Sequence, residues 1–329
     1  GGQYLALQPA LVQGQLFFSS AKGQVTAVRA SDGHTIWGNH TKTPITTGVG
    51  VGAAQVFVGP AAGNLLALSR QTGQRQWFQS LPASIIATPA VSVAYVFVKT
   101  QGGNLYAYQA SHGHVVWNFP TGSPGLVLRL GGAPVPYKHQ VLVGFANGQV
   151  ASLDQQSGFP QWRKQLAQAA GATVVQRMVD ISATPVLQGN TMYVASYRGK
   201  LAAINARNGH VIWQHPLSSF TGLVLDQRAL YITDVSGRLW AFDRASGRVL
   251  WRQQQLMGRG PGAPALLNGH IVLGDAAGYV YAFAPASGRL EGMTWMTRAP
   301  ILAAPRIYKD LAIVNAQNGR VKAYRLQMA

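Results

Sequence analysis

No cysteine occurs among the 329 residues, which removes disulfides, thiolate metal sites and cysteine nucleophiles together and leaves the redox compartment open. Acids are almost as scarce. Nine Asp and Glu stand against 27 Lys and Arg, giving a formal charge of +18 with charged residues at 11% of the chain; a soluble domain usually carries roughly 25%. The positive surplus therefore comes from missing carboxylates. Long apolar runs are lacking too: stretches such as Tyr95 to Val98 and Ile271 to Leu273 are strand-length, far below the ~18 residues of a membrane-spanning helix. The chain opens Gly1-Gly2-Gln3, with neither Met nor a charged-then-apolar leader. It reads as a processed or trimmed product whose export signal lies outside it.

What is present is apolar and rich in turns. Hydrophobic residues make up 47%, with 38 Gly and 17 Pro in no collagen-like period, which supplies a core and points to short strands joined by many turns. The strands repeat. The frame Gly, Ala at +4, Gly at +10, Trp at +14 fits Gly23/Ala27/Gly33/Trp37, Gly63/Ala67/Gly73/Trp77, Gly103/Ala107/Gly113/Trp117, Gly199/Ala203/Gly209/Trp213 and Gly237/Ala241/Gly247/Trp251. Gly148/Ser152/Gly158/Trp162 and Gly278/Ala282/Gly288/Gly292 each depart at one slot, and Gly319/Ala323 reaches the chain end first, making eight copies. Pro9, Pro89, Pro134, Pro185, Pro264 and Pro305 each stand 14 residues before a first Gly.

Each unit of about 40 residues therefore reads as four strands: one begun by Pro, one aromatic and β-branched, one Gly-x-Leu/Val-x-Ala, and one ending in Trp. The second Gly serves a tight hairpin. This predicts an all-β, eight-bladed β-propeller of four antiparallel strands per blade, a single domain spanning 1–329. The periodic Trp is expected to pack between neighbouring blades over small Ala and Gly positions. The eighth copy ends before a Trp strand, which predicts three strands there and a natural protein extending N-terminally to close the ring.

Two steps between copies are long, 45 and 51 residues against 38 to 41 elsewhere. The extra residues fall in 121–130 and 166–179, on consecutive blade-to-blade connections, so they should lie side by side on one face. The first contains Gly125-Leu-Val-Leu-Arg-Leu130, which reads either as an exposed partner-binding patch or as an extra edge strand covering the core.

Catalytic chemistry finds little to use. No two acids are spaced as a carboxylate pair or a Ca²⁺ loop, and no Gly-x-Ser-x-Gly, His-Glu-x-x-His or phosphate-cradling loop occurs. His34, His114 and His210 share the slot after the second Gly, which makes them turn residues rather than metal ligands. Arg238, Arg248, Arg289 and Arg320 also follow repeat Gly residues, spreading the cations around a rim. A diffuse basic rim suits an anionic surface or an acidic protein better than nucleic acid.

The repeat is similar to the quinoprotein-type propeller repeat, and the chain from Tyr4 to Leu326 resembles the BamB family, lipoproteins of the outer-membrane β-barrel assembly machinery. Leu126-Val-Leu-Arg129, Arg177-Met-Val-Asp180 with Thr184-Pro-Val186, and Val272-Leu-Gly-Asp275-Ala-Ala-Gly-Tyr279-Val-Tyr281 carry the resemblance. It implies a non-catalytic scaffold without cofactor or metal. The implied partner is a POTRA domain of BamA, touched by Leu126, Leu128 and Arg129 on one loop and by Arg177 and Asp180 on the next. Unfolded outer-membrane proteins are implied as further partners. The implied location is the periplasmic face of the outer membrane of a Gram-negative bacterium, held through an N-terminal lipid absent from this chain, with the protein monomeric outside the complex. Ser182 stands where the family pattern suggests a second Asp. The rival readings are a quinone-dependent dehydrogenase, which would need a Ca²⁺ site and a catalytic Asp, and a propeller binding an envelope polymer.

Overall fold

The computed structural model describes residues 7–61, 63–121, 131–168 and 179–326. Thirty-one strands among them form eight separate antiparallel sheets, seven of four strands and a last one of three. This is the eight-bladed β-propeller that the repeat predicts, with the eighth sheet ending at Val321–Tyr324. The chain divides into two compact units, Gly1–Phe220 with five sheets and Thr221–Ala329 with three.

Every sheet is a simple meander, and its residue pattern follows the repeat. Each of the six periodic Pro residues directly precedes an innermost strand, as Pro89 precedes Ala90–Val91 and Pro185 precedes Val186–Gln188; there its missing N–H costs no ladder bond. The second strand is buried on both faces, as in Tyr95–Lys99, and so reads as a continuous apolar run.

Register explains the spacing of the repeat. Ala27, Ala67, Ala107, Ala203 and Ala241 pair directly with Trp37, Trp77, Trp117, Trp213 and Trp251 across the third and fourth strands. A methyl group thus stands opposite an indole. Immediately after each of these Ala the ladder slips at a β-bulge, which twists the outer strand.

The indole then reaches the next blade. Trp37, Trp77, Trp117 and Trp162 donate Nε1–H to the backbone oxygens of Arg70, Ala110, Gln155 and Ala206 at 2.8 to 3.0 Å. Trp251 does the same to Pro285 at 2.8 Å in the second unit. Each acceptor lies three residues before the next blade's second repeat Gly. At Gly158, where φ is +73°, an added Cβ would lie 2.6 Å from Cδ2 of Trp117, so this position serves both the turn and the ring packed on it. The core is correspondingly divided between sheets: Phe97 and Trp117 meet at 5.9 Å between centroids and pack with Val141, Phe145 and Leu153 of the following blade.

Within each unit the blades share two ends. At the crossover end lie the turn from second to third strand and the exit from the fourth; the first-to-second and third-to-fourth turns lie at the opposite end. In the third blade, for example, Leu105 pairs with both Lys99 and Phe119 at the crossover end.

Candidate partner-binding site

Eight of the nine carboxylates are consumed locally. Asp32, Asp154 and Asp243 accept from backbone N–H groups of their own turns, the use of Asp expected there. Asp226 and Asp234 do likewise and also accept from Tyr231 and Trp240. Glu291 meets His270 at 2.6 Å, and Asp310 meets Arg325 at 2.5 Å. Asp275, fully buried, takes the N–H groups of Ala277 and Tyr279, the hydroxyl of Tyr281 and Nε–H of Arg259. The Val272–Tyr281 motif is thus a turn whose carboxylate pins the preceding connection through Arg259.

Asp180 is the exception. It lies on the connection into the fifth blade, is 2% exposed, and neither carboxylate oxygen has a hydrogen-bond partner. Its opposing charge is Lys99, itself buried, whose Nζ donates to the Gly144 carbonyl at 2.7 Å rather than to the carboxylate. Burial pushes the Asp180 carboxyl above its ordinary range, while the Lys99 charge partly offsets the rise. Burial likewise depresses the Lys99 ammonium, against the pull of Asp180. The carboxylate therefore sits beneath the surface, while its backbone oxygen accepts from Tyr197 N–H at 2.7 Å in the next blade.

Leu126, Leu128, Arg129 and Arg177 lie outside the described residues. The feet of their two connections do not, and they meet. Asn147, in the second-to-third turn of the fourth blade, donates Nδ2–H to the Thr121 oxygen at 3.2 Å and forms a parallel bridge with Val179. Gln165 Nε2 donates to the Asn147 oxygen at 2.8 Å and the Ala167 oxygen at 2.6 Å. On the return side, Ala133 N–H donates to Thr184 Oγ1 at 3.0 Å. The start of the first insertion and both ends of the second are therefore tied to one turn, and the exits of both touch. The feet of the two connections thus lie side by side, while residues 122–130 and 169–178 of the insertions lie outside the described residues.

Asn147 is the residue that sequence reasoning missed. Its Oδ1 also accepts Gln149 N–H at 3.1 Å and so shapes its own turn. Asn147→Ala is expected to cost about 1–2 kcal/mol, the worth of its two side-chain bonds with partners left short of satisfaction. Denaturant unfolding measures it, with an unchanged far-ultraviolet spectrum.

Eight meandering sheets, with periodic Trp side chains bonded to the following blade and the feet of two long connections meeting at one turn, define a protein of the β-propeller class. More particularly, the chain belongs to the family of the outer membrane protein assembly factor BamB, whose model matches residues 21–253. It is 37% identical over 327 residues to the BamB of Pseudomonas aeruginosa, covering 99% of this chain and 86% of that one. The BamB of Legionella pneumophila is 34% identical over 198 residues, 60% of this chain and 51% of the relative, so the match spans about half that relative's length. Among solved structures, BamB from Moraxella catarrhalis superposes with a TM-score of 0.91 at 26% identity, covering 98% of this chain and 96% of that one. The Pseudomonas and Legionella relatives are outer membrane protein assembly factors.

Proposed function

We propose that the protein is a non-catalytic scaffold subunit in the assembly of outer-membrane β-barrel proteins, working at the periplasmic face of the outer membrane. It binds a POTRA domain of the barrel-inserting subunit BamA through the two adjacent inter-blade connections. The observation that carries this reading is the convergence of both connections on Asn147, in a chain whose family is that of an assembly factor. Leu126 and Leu128 serve as apolar anchors and Arg129 with Arg177 as the charges that fix register, the usual division of labour in an interface. Asp180, with its side chain buried, acts from beneath by setting the foot of the second connection. Unfolded outer-membrane proteins are further candidates for contact.

Replacing Leu126, Leu128 and Arg129 together by Ala is expected to abolish co-purification with the POTRA domains while the β-sheet spectrum stays native. Undiminished co-purification of a folded triple variant would overturn the assignment.

A further inference from the structure

The acids sort by end. In the first unit the three carboxylates are Asp32, Asp154 and Asp180. The two that water reaches, Asp32 and Asp154, occupy third-to-fourth turns at the opposite end, and the one at the crossover end, Asp180, is buried. Cations do not sort this way. Lys22, Lys42, Lys164 and Arg198 are exposed at the crossover end, and Lys200 is partly exposed beside them. The opposite end mixes Arg75, Lys138 and Arg207 with its two carboxylates. The second unit repeats the rule: the side chains of Asp234 and Asp275 at the crossover end are 8% and 0% exposed and already paired with Arg238 and Arg259. Asp226, Asp243, Glu291 and Asp310 belong to its opposite end.

The cause is local. At the crossover end an Asp three residues before the repeat's first Gly turns inward to cap backbone N–H groups, as Asp275 does; in the third-to-fourth turn the same chemistry is done in water. The crossover end is left with cations whose charge no accessible carboxylate cancels. This replaces the even basic rim expected from sequence, since Arg238 and Arg320 follow first Gly residues while Arg248 and Arg289 follow second ones, at opposite ends of their blades.

We infer that the crossover end of the first unit docks an acidic protein surface, and that the domain bound in the proposed function presents such a surface there. The inference rests on that partner reading and adds its chemistry. A folded acidic partner fits better than an anionic bilayer. Of the large exposed apolar side chains described in the first unit, Phe220, 36% exposed, is the one at the crossover end, in the connection leaving the fifth blade; the others, such as Phe78, Val93 and Phe159, lie on outer strands or at the opposite end, so among the described residues a single partly exposed ring accompanies the cations. Stable attachment to a membrane surface combines the two. Complementary charge over such a face speeds encounter more than it prolongs residence, and salt screens it.

The test uses the full chain and the purified POTRA-domain segment of BamA from the same organism, with association followed by surface plasmon resonance. Lys42→Glu/Lys164→Glu/Arg198→Glu is compared with Arg75→Glu/Lys138→Glu/Arg207→Glu, which changes net charge equally at the opposite end. The first variant is expected to associate at least about tenfold more slowly, the second within about threefold of the parent, and the parent's rate is expected to fall steeply between about 50 and 300 mM salt. Equal slowing by both variants, or a salt-independent rate, overturns the charge inference and leaves the partner intact. No binding by the unaltered chain at low salt sinks the partner reading and this inference with it. Phosphatidylglycerol vesicles form the remaining arm: vesicle binding lost in the first variant, with its POTRA association unchanged, assigns the face to lipid and overturns the proposal.

Discussion

Lys99→Met is expected to destabilise the first unit by about 3–5 kcal/mol, the range found when one member of a buried charge pair is removed. Met keeps the length and apolar character of the lysine stem, so little of the loss comes from packing. What remains is Asp180, 2% exposed, with two unpartnered oxygens and without its opposing charge. The Gly144 carbonyl loses its donor as well. Adding Asp180→Asn should recover much of the deficit, because a neutral amide costs far less to bury than a carboxylate. The pH dependence carries a sign that distinguishes this account. The folded-state pKa of Asp180 is raised above its ordinary 3.8, and removing Lys99 raises it further. The native state then holds its proton at a pH where the unfolded chain has lost it, so this stability contribution is full below the ordinary value and lost as pH rises through the raised one. The deficit of Lys99→Met relative to the parent should accordingly shrink as pH falls from neutral toward 4. Urea unfolding of both chains across that range measures it, and a deficit independent of pH would show that the loss is one of packing.

Trp117→Ala has a comparable expected cost of about 3–5 kcal/mol, as for a large aromatic removed from a core. The indole is 9% exposed, lies tilted at 38° to the Phe97 ring with centroids 5.9 Å apart, and donates to the Gln155 oxygen at 2.9 Å in the following blade. Its partner position gives the sharper test. Gly158→Ala should cost about 2–4 kcal/mol in the parent, combining a left-handed backbone with overpacking against the ring. In the Trp117→Ala background the overpacking has no target, so only the backbone penalty of about 1–2 kcal/mol should remain. The two substitutions should therefore be strongly non-additive. Trp295→Ala, at a side chain 50% exposed outside the repeat, should cost under about 1 kcal/mol.

The contrast between these two tryptophans shows what a linear sequence carries. The repeat slot announced Trp117 as structural and the spacing announced a hairpin at Gly158, because both depend on contacts that recur in every copy. The reason Ala stands ten residues before Trp was not legible: it is a pairing across a ladder, made regular by a bulge that no composition reveals. The feet of the two long connections were legible as adjacent, since position in a repeat fixes position in space. Their clamp was not, because Asn147 resembles any other turn-forming Asn until its distances to Thr121 and Val179 are known. Asp180 likewise looks like a surface charge in the string; only packing shows it enclosed with Lys99, which lies some eighty residues earlier in the chain. The sorting of acids by end escaped for a related reason. Arg248 and Arg320 look equivalent when each merely follows a glycine, but their turns lie at opposite ends of their blades.

The indole bonds between blades span 33 to 44 residues of chain, so each fastens a unit only to its immediate successor. Order can therefore spread along the polypeptide one neighbour at a time, each step closing a loop of modest entropy cost. For a chain that emerges progressively, a completed blade offers the next one a finished acceptor turn as soon as some forty residues have followed.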